Sequence, residues 1–300
     1  FIFMVEGTSY MFVTGPEVVK TVTHEEVTQE ELGGAVTHTT KSGVADKAFN
    51  DDAEALLMLR RFIDFLPANN REQPPVRPTP DLGDRIETSL DTLIPDDAAK
   101  PYDMKELITK VVDEGDFFEL QPGYAANIIV GFGRMEGATV GIVANQPMVL
   151  AGCLDISSSI KAARFVRFCD CFNIPIVTFV DVPGFLIGVE GERRAAPGKI
   201  INWMNALSLC TVPKISVILR KSYGQAFINM GGNKGSDEMA LWPTADVGFM
   251  DPHTGVNVVF GLQKEDDPIL FAKRVEELQR DAAPWELAAM YEAQDVIAPQ

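Results

Sequence analysis

Histidine is nearly missing from this chain: His24, His38 and His253 are all that its 300 residues supply. None has a cysteine or a second histidine at ligand spacing, and no Gly-x-Ser-x-Gly elbow occurs. Zinc centres of the usual spacing and triad hydrolases are therefore poor readings, and no metal is expected in this chain. Cysteine is also scarce, at Cys153, Cys169, Cys171 and Cys210. Only Asp170 separates Cys169 from Cys171, which is the wrong spacing for a zinc knuckle, and all four lie in apolar surroundings. Buried free thiols in a reducing compartment are expected. Positive charge is short as well. Lys and Arg number 26 against 43 Asp and Glu, a net charge of −17, and such a surface repels phosphate backbones and anionic lipid. Neither nucleic acid nor a membrane is an expected partner. No apolar stretch is long enough to span a bilayer and no signal peptide is visible, so the cytoplasm, or a mitochondrial matrix, is the expected location.

What the sequence does hold is apolar residues, 46% of the chain, enough to bury one large core or two moderate ones. The opening segment to Pro16 has apolar runs split by Gly7 and Gly15, which predicts one or two short buried strands. Pro16 and Glu17 fit a helix start, and a second helical turn ends at Gly33 and Gly34. Over Asp51 to Leu66 the spacing predicts an amphipathic helix that turns Ala55, Leu56, Leu59, Phe62, Ile63 and Leu66 inward. The proline-rich NNREQPPVRPTPDLGDR then reads as an exposed linker. Beyond it DMKELITKVVDEGDFFEL predicts a helix with Leu107, Ile108, Val111 and Val112 inward, ended by Gly115. The remainder repeats one theme. IIVGFGRM, TVGIVANQ, PIVTFVDV and KISVILRK are β-branched runs that each end in a turn, and SSIKAARFVRFCDCFN and GKIINWMNALSLC between the later ones are helical. Alternation of this kind predicts α/β layers with strands covered on both faces, and ligands gather at the carboxyl ends of such strands.

Those ends supply the candidates. In TFVDVPGFLIG, Pro183 and Gly184 predict a tight turn that exposes Phe185 and Leu186 as an apolar ledge, with an ordinary strand exit as the plain alternative. In RKSYGQAFINMGG, Ser222, Tyr223, Gly224, Gln225 and Ala226, small side chains among them, lead from a strand into a helical run beginning at Ala226. That bend leaves backbone N–H groups uncovered at a helix N-terminus, a place suited to an oxyanion; close packing alone is the plain alternative. Asn145 and Gln146 follow another strand, and Ser157, Ser158 or Ser159 reads as a helix cap. Lys161, Arg164 and Arg167 are candidates to line a phosphate, against a solvated helix face. Asp181 and Asp246 read as turn or cap residues, with acid or base chemistry as the alternative.

The long string NIIVGFGRMEGATVGIVANQPMVLAGCLDISSSIKAARFVRFCDCFNIPIVTFVDVPGF closely resembles the carboxyl-terminal domain of the β subunit of acyl-CoA carboxylases of the propionyl-CoA carboxylase type. FIFMVEGTSYMFVTGPEVVKTVTHEEVTQEELGGAVTHTTKSGVA is similar to the end of the amino-terminal domain of the same biotin-dependent carboxyltransferases. The likeness extends over essentially the whole chain. It implies a crotonase-like ββα superhelix in two homologous domains, the first only partly present: residues 1–72, a linker at 73–87, and the biotin-side domain at 88–300. Both ends of the chain are accordingly expected to be cut, with the acyl-CoA oxyanion hole upstream of Phe1.

The resemblance further implies carboxyl transfer between carboxybiotin, on a partner's carrier domain, and the α-carbon of a short-chain acyl-CoA. Dimers built into a hexamer, joined by a biotin carboxylase and carrier subunit, are the implied assembly. Matched by position, the catalytic oxyanion hole falls on Gln225 and Ala226 after Gly224, the biotin pocket on Pro183, Gly184, Phe185 and Tyr223, and the acyl pocket on Phe227 and Ile228. Needing N–H donors more than a side-chain base, such an enzyme can be poor in histidine. The chain departs from the usual Gly-Gly-Ala-Tyr-Asp at Gln225, Phe227 and Ile228, and again in VEGERRAAPGKIINWMNALSL. Alternatives are a carboxyacyl-CoA decarboxylase or transcarboxylase subunit and a non-catalytic scaffold. A hydratase would need a pair of glutamates that the turns do not offer.

Overall fold

The computed structural model describes residues 1–300. In chain order its strands are β1 (Phe3–Val5), β2 (Lys47–Phe49), β3 (Phe118–Leu120), β4 (Ile128–Met135), β5 (Ala138–Asn145), β6 (Ile176–Val182), β7 (Lys214–Tyr223), β8 (Glu238–Leu241), β9 (Asp246–Gly248) and β10 (Asp295–Val296). The helices are α1 (Pro16–Thr23), α2 (Gln29–Gly33), α3 (Ala35–Thr37), α4 (Asp52–Ile63), α5 (Met104–Val111), α6 (Ile156–Cys171), α7 (Val189–Arg193), α8 (Ala196–Leu209), α9 (Gly224–Asn229), α10 (Pro252–Phe260), α11 (Pro268–Asp281) and α12 (Pro284–Ala289).

β1 and β2 form a small parallel ribbon of their own. The main sheet runs β10-β8-β7-β6-β5-β4-β3, with β9 beside the end of β7. β3, β4 and β5 pair antiparallel, and every pairing from β5 onward is parallel. The β4–β5 hairpin closes through Glu136 and Gly137, both at positive φ (51° and 79°), the backbone that a two-residue hairpin turn needs. Parallel strands need covered crossovers, and α6 and α8 supply them. All seven residues of β6 are buried, because α6 and α8 cover one face while α5 covers the other. Phe165, Trp203, Val180 and Ile218 belong to the larger core, and Leu107, Ile108, Phe179 and Leu219 to the smaller. Burying side chains of this size contributes roughly 1.5–3 kcal/mol each.

Three expectations are corrected here. On α4, Leu56 and Ile63 are 61% and 56% exposed and Leu59 is exposed too, whereas Phe62 and the following Phe65 turn inward. The reason is aromatic packing: the Phe62 ring lies 5.8 Å from Phe118 and 6.0 Å from Phe132. Lys161 lines no phosphate and is not on a solvated face. It is buried in the larger core, where its Nζ donates to the carbonyls of Gln121 (2.9 Å), Tyr124 (2.8 Å), Ala125 (3.3 Å) and Ile128 (2.8 Å). Arg164 instead pairs with Asp46, and Arg167 donates to the Asn202 carbonyl. Cys169 and Cys210 are buried as expected, but Cys171 is exposed and Cys153 only half-buried, since Cys171 ends α6 on its solvent side. The proline-rich segment has no regular element until residue 88. It runs exposed along the β4–β5 hairpin, where Val76 bridges Ala138 and the Arg77 amide donates to the Gly137 carbonyl.

Candidate active site

β6 and β7 lie side by side and run the same way, so their exits emerge at one end of the sheet. β7 passes into α9 within a single residue, at Gly224. Its φ is +56°, and a Cβ there would lie 2.7 Å from the Phe249 carbonyl oxygen, so only glycine fits without strain. The helix therefore starts two residues earlier than Ala226. Gln225 and Ala226 fall in its first turn, where the helix itself offers their amides no acceptor, and no side chain caps this terminus. The partial positive charge of α9 is concentrated there. Ala226 is buried, while Gln225 is exposed. The Gln225 side chain lies along the helix, its Nε2 within 3.0 Å of Asn229 Oδ1 and 2.9 Å of Met204 Sδ.

The exit of β6 is not the tight turn expected. Gly184 adopts φ +148°, and the chain stays extended to form a parallel bridge between Phe185 and Leu154. Leu154 donates to the Gly184 carbonyl at 3.0 Å, and Leu186 donates to the Leu154 carbonyl at 2.7 Å. The extension of β6 thus pairs with the segment entering α6, and that pairing replaces a turn. Phe185 packs on the larger core and Leu186 is half-exposed.

Between these walls lies a cleft of about 430 Å³, lined among others by Phe185 and Leu186, by Asp155 and Ser157 at the start of α6, by Ile200 on α8 and by Gln225. Of the candidates from sequence, Ser157, Phe185, Leu186 and Gln225 line this cleft; Gly184, Gly224 and Ala226 adjoin them along the chain, and Pro183 lies two residues before Phe185. Tyr223, Phe227 and Ile228 do not line it. The Tyr223 hydroxyl donates to Asp246 Oδ2 at 2.5 Å, tying β7 to β9, and burial together with that carboxylate pushes the phenol far above its usual range. Burial likewise raises the Asp246 carboxyl. Phe227 packs on the larger core and across Gly232.

Neither Asp181 nor Asp246 is a cap. Asp181 is a buried partner of Arg220, because its strand ends inside the fold and not at its surface. Asn145 and Gln146 serve as internal struts: Asn145 Nδ2 donates to the Gly152 carbonyl, and Gln146 Nε2 donates to Asp103. The cap of α6 is Asp155, not a serine: its side chain accepts from the Ser158 amide at 2.8 Å while Ser158 Oγ accepts from the Asp155 amide at 2.7 Å. Asp155 was missed, although an Asp three residues before a Ser at a helix start is a readable signal. Ile200 carried no signal in sequence, since its place in the cleft depends on how α8 packs.

Residues 1–300 match the family model of the carboxyl transferase domain from end to end. The chain belongs to that family. This carboxyl transferase domain is 53% identical over its whole length to the propionyl-CoA carboxylase beta chain of Roseobacter denitrificans, of which it spans 59%. It is 46% identical to the methylmalonyl-CoA decarboxylase subunit alpha of Veillonella parvula, spanning 58% of that protein. Among solved structures, the transcarboxylase 12S hexamer with methylmalonyl-coenzyme A and methylmalonic acid bound superposes with a TM-score of 0.95 at 42% identity. That likeness covers all of this chain and 58% of the other. The domain thus spans less than two thirds of the relatives it matches, and its α/β architecture is the crotonase-like one expected from the sequence. No helix is long and apolar enough to cross a membrane.

Proposed function

We propose that this carboxyl transferase domain works in a biotin-dependent carboxyltransferase subunit, moving a carboxyl group between carboxybiotin and the α-carbon of a short-chain acyl-CoA. One observation carries the reading: the uncapped N-terminus of α9, with Gln225 and Ala226 in its first turn, adjoins a cleft that Gln225 lines together with the apolar Phe185 and Leu186. Biotin, when bound, supplies a ureido nitrogen that carries the carboxyl group and a ureido oxygen on which charge develops. The residues fit such a group, since two fixed N–H donors with a helix dipole behind them suit a charged oxygen, and Phe185, Leu186 and Ile200 suit an apolar bicycle. The chain's own part is preorganisation. Gly224 fixes the bend, the two amides hold the oxygen without reorganising, and the ledge excludes water. Gln225 contributes its backbone; its side chain is held by Asn229 and Met204.

Replacing Ala226 with Pro removes one donor without breaking a helical hydrogen bond, since Ala226 is the third residue of α9 and its amide has no acceptor within the helix. In the full-length subunit, carboxyl transfer to free biotin is expected to fall about 100- to 1000-fold with the fold intact; unchanged turnover of a folded variant overturns the reading. Gln225→Gly keeps the amide and is expected to stay within a few-fold of the parent.

The decarboxylase direction is the second reading, favoured by the likeness to the methylmalonyl-CoA decarboxylase subunit. The same amides serve both directions, because the charge falls on the same oxygen. Offering carboxyacyl-CoA with biotin, and separately acyl-CoA with carboxybiotin, distinguishes the preferred direction. Further parts of the proposal are a hexamer built from dimers, a partner that delivers biotin, a bacterial cytoplasm or mitochondrial matrix as location, an acyl pocket near Phe227 and Ile228, and a linker between two domains at residues 73–87.

A further inference from the structure

We infer that the buried Asp181–Arg220 pair is the positioning device of this cleft, setting the Gln225 and Ala226 amides against the Phe185 wall; the inference rests on the function proposed above. Asp181 is 1% and Arg220 7% exposed. Nη2 and Nε of Arg220 both reach Asp181 Oδ2, at 2.9 and 3.0 Å. Oδ1 of Asp181 accepts from the Lys221 amide at 3.1 Å, and the Asp181 amide donates to Asn145 Oδ1 at 3.3 Å. Asn145 in turn holds the Gly152 carbonyl at 3.1 Å. Arg220 Nη1 donates to the Lys100 carbonyl at 3.1 Å, and the guanidinium lies 5.2 Å from the Tyr102 ring. One network therefore joins the ends of β5, β6 and β7.

Its place in the sheet gives it its task. The β6–β7 register slips here: Val180 faces Ile218, but Val182 faces Ser222. Asp181 alone stands opposite Leu219, Arg220 and Lys221, so the regular ladder is interrupted. Its carboxylate takes over, accepting the Lys221 amide and the Arg220 fork. Irregularities of this kind re-aim a strand end. Asp181 lies four residues before Phe185, and Lys221 four residues before Gln225. The carboxylate thus clamps the two exits together four residues before each wall of the cleft, and neither Asp181 nor Arg220 lines the cleft itself. A buried pair of this kind contributes little net stability compared with apolar residues of similar volume, so its yield here is geometry.

The test uses the full-length subunit and carboxyl transfer to free biotin. Asp181→Leu combined with Arg220→Met removes both charges at once, so no buried charge is left alone and the melting temperature stays close to that of the parent. Mispositioned amides are expected to lower kcat roughly 10- to 100-fold, with KM for biotin held within about twofold, since the loss falls on charge that develops in the transition state. Arg220→Lys keeps the charge and one donor but not the fork, and is expected to recover part of kcat; if the double variant does not fold, this single variant carries the test through its kcat at constant KM. Parental kcat in whichever of these variants is folded, while Ala226→Pro is inactive, overturns the positioning role. Full turnover of Ala226→Pro overturns the oxyanion reading instead, and the positioning role falls with it.

Discussion

At Gly224 the backbone needs both a positive φ and a Cβ-free approach to Phe249, and a bend of this sort is written in the local sequence. Lys161 is the opposite case. Helical spacing places a cation somewhere on α6, but only the fold turns its Nζ toward four carbonyls, where burial lowers its pKa to about 7. Cys210 gives a pH test at this scale. Burial first, then the Asp170 charge, pushes its thiol up to about 11. An unfolded thiol titrates near about 8.5, so the folded form holds the proton more tightly. Its contribution to stability is therefore full below the unfolded value and is lost as pH rises toward the folded one. The difference in urea midpoint between parent and Cys210→Ala is expected to shrink steadily from neutral pH to above pH ~10; a constant difference rejects the assignment.

Among the elements, β4 to β7 were legible because each is a β-branched run long enough to be buried on both faces. α4 was legible as a helix but not in orientation. Its apolar residues fit more than one face, and the ring cluster around Phe118 and Phe132 selected Phe62 and Phe65. α6 was read with a serine cap, whereas the reciprocal pair of Asp155 and Ser158 starts it. Asp155→Ala is expected to lower stability by about 1 kcal/mol in urea unfolding. A loss well below the scatter of that measurement rejects the cap as the anchor of α6. Since Asp155 also lines the cleft, the start of α6 is fixed to the same end of the sheet as the two strand exits.

The whole molecule carries a net charge of −17, and self-repulsion of that size opposes compaction. Salt shortens its range from about 30 Å at 0.01 M to about 8 Å at 0.15 M. The melting temperature is accordingly expected to rise by a few degrees between those conditions with sodium chloride, and a fall would mean that local ion pairs outweigh the net repulsion. The buried ion pair at Asp181 is shielded from solvent and is expected to be little affected.

Composition, periodicity and glycine placement determined by themselves that this chain is an α/β protein, where its central strands lie, and that a bend around Gly224 leads from β7 into a helical run, though not that the helix already begins at Gly224. These properties depend on neighbours a few residues apart, which the sequence displays directly. Only the tertiary structure decided that Phe185 and Gln225 share a cleft, that Tyr223 is turned to Asp246, and that Asp181 clamps β6 to β7. Each of those follows from strand register and from burial by residues distant in sequence. One slip of the ladder, between Val180 and Val182, changes which side chains meet without changing a single local preference.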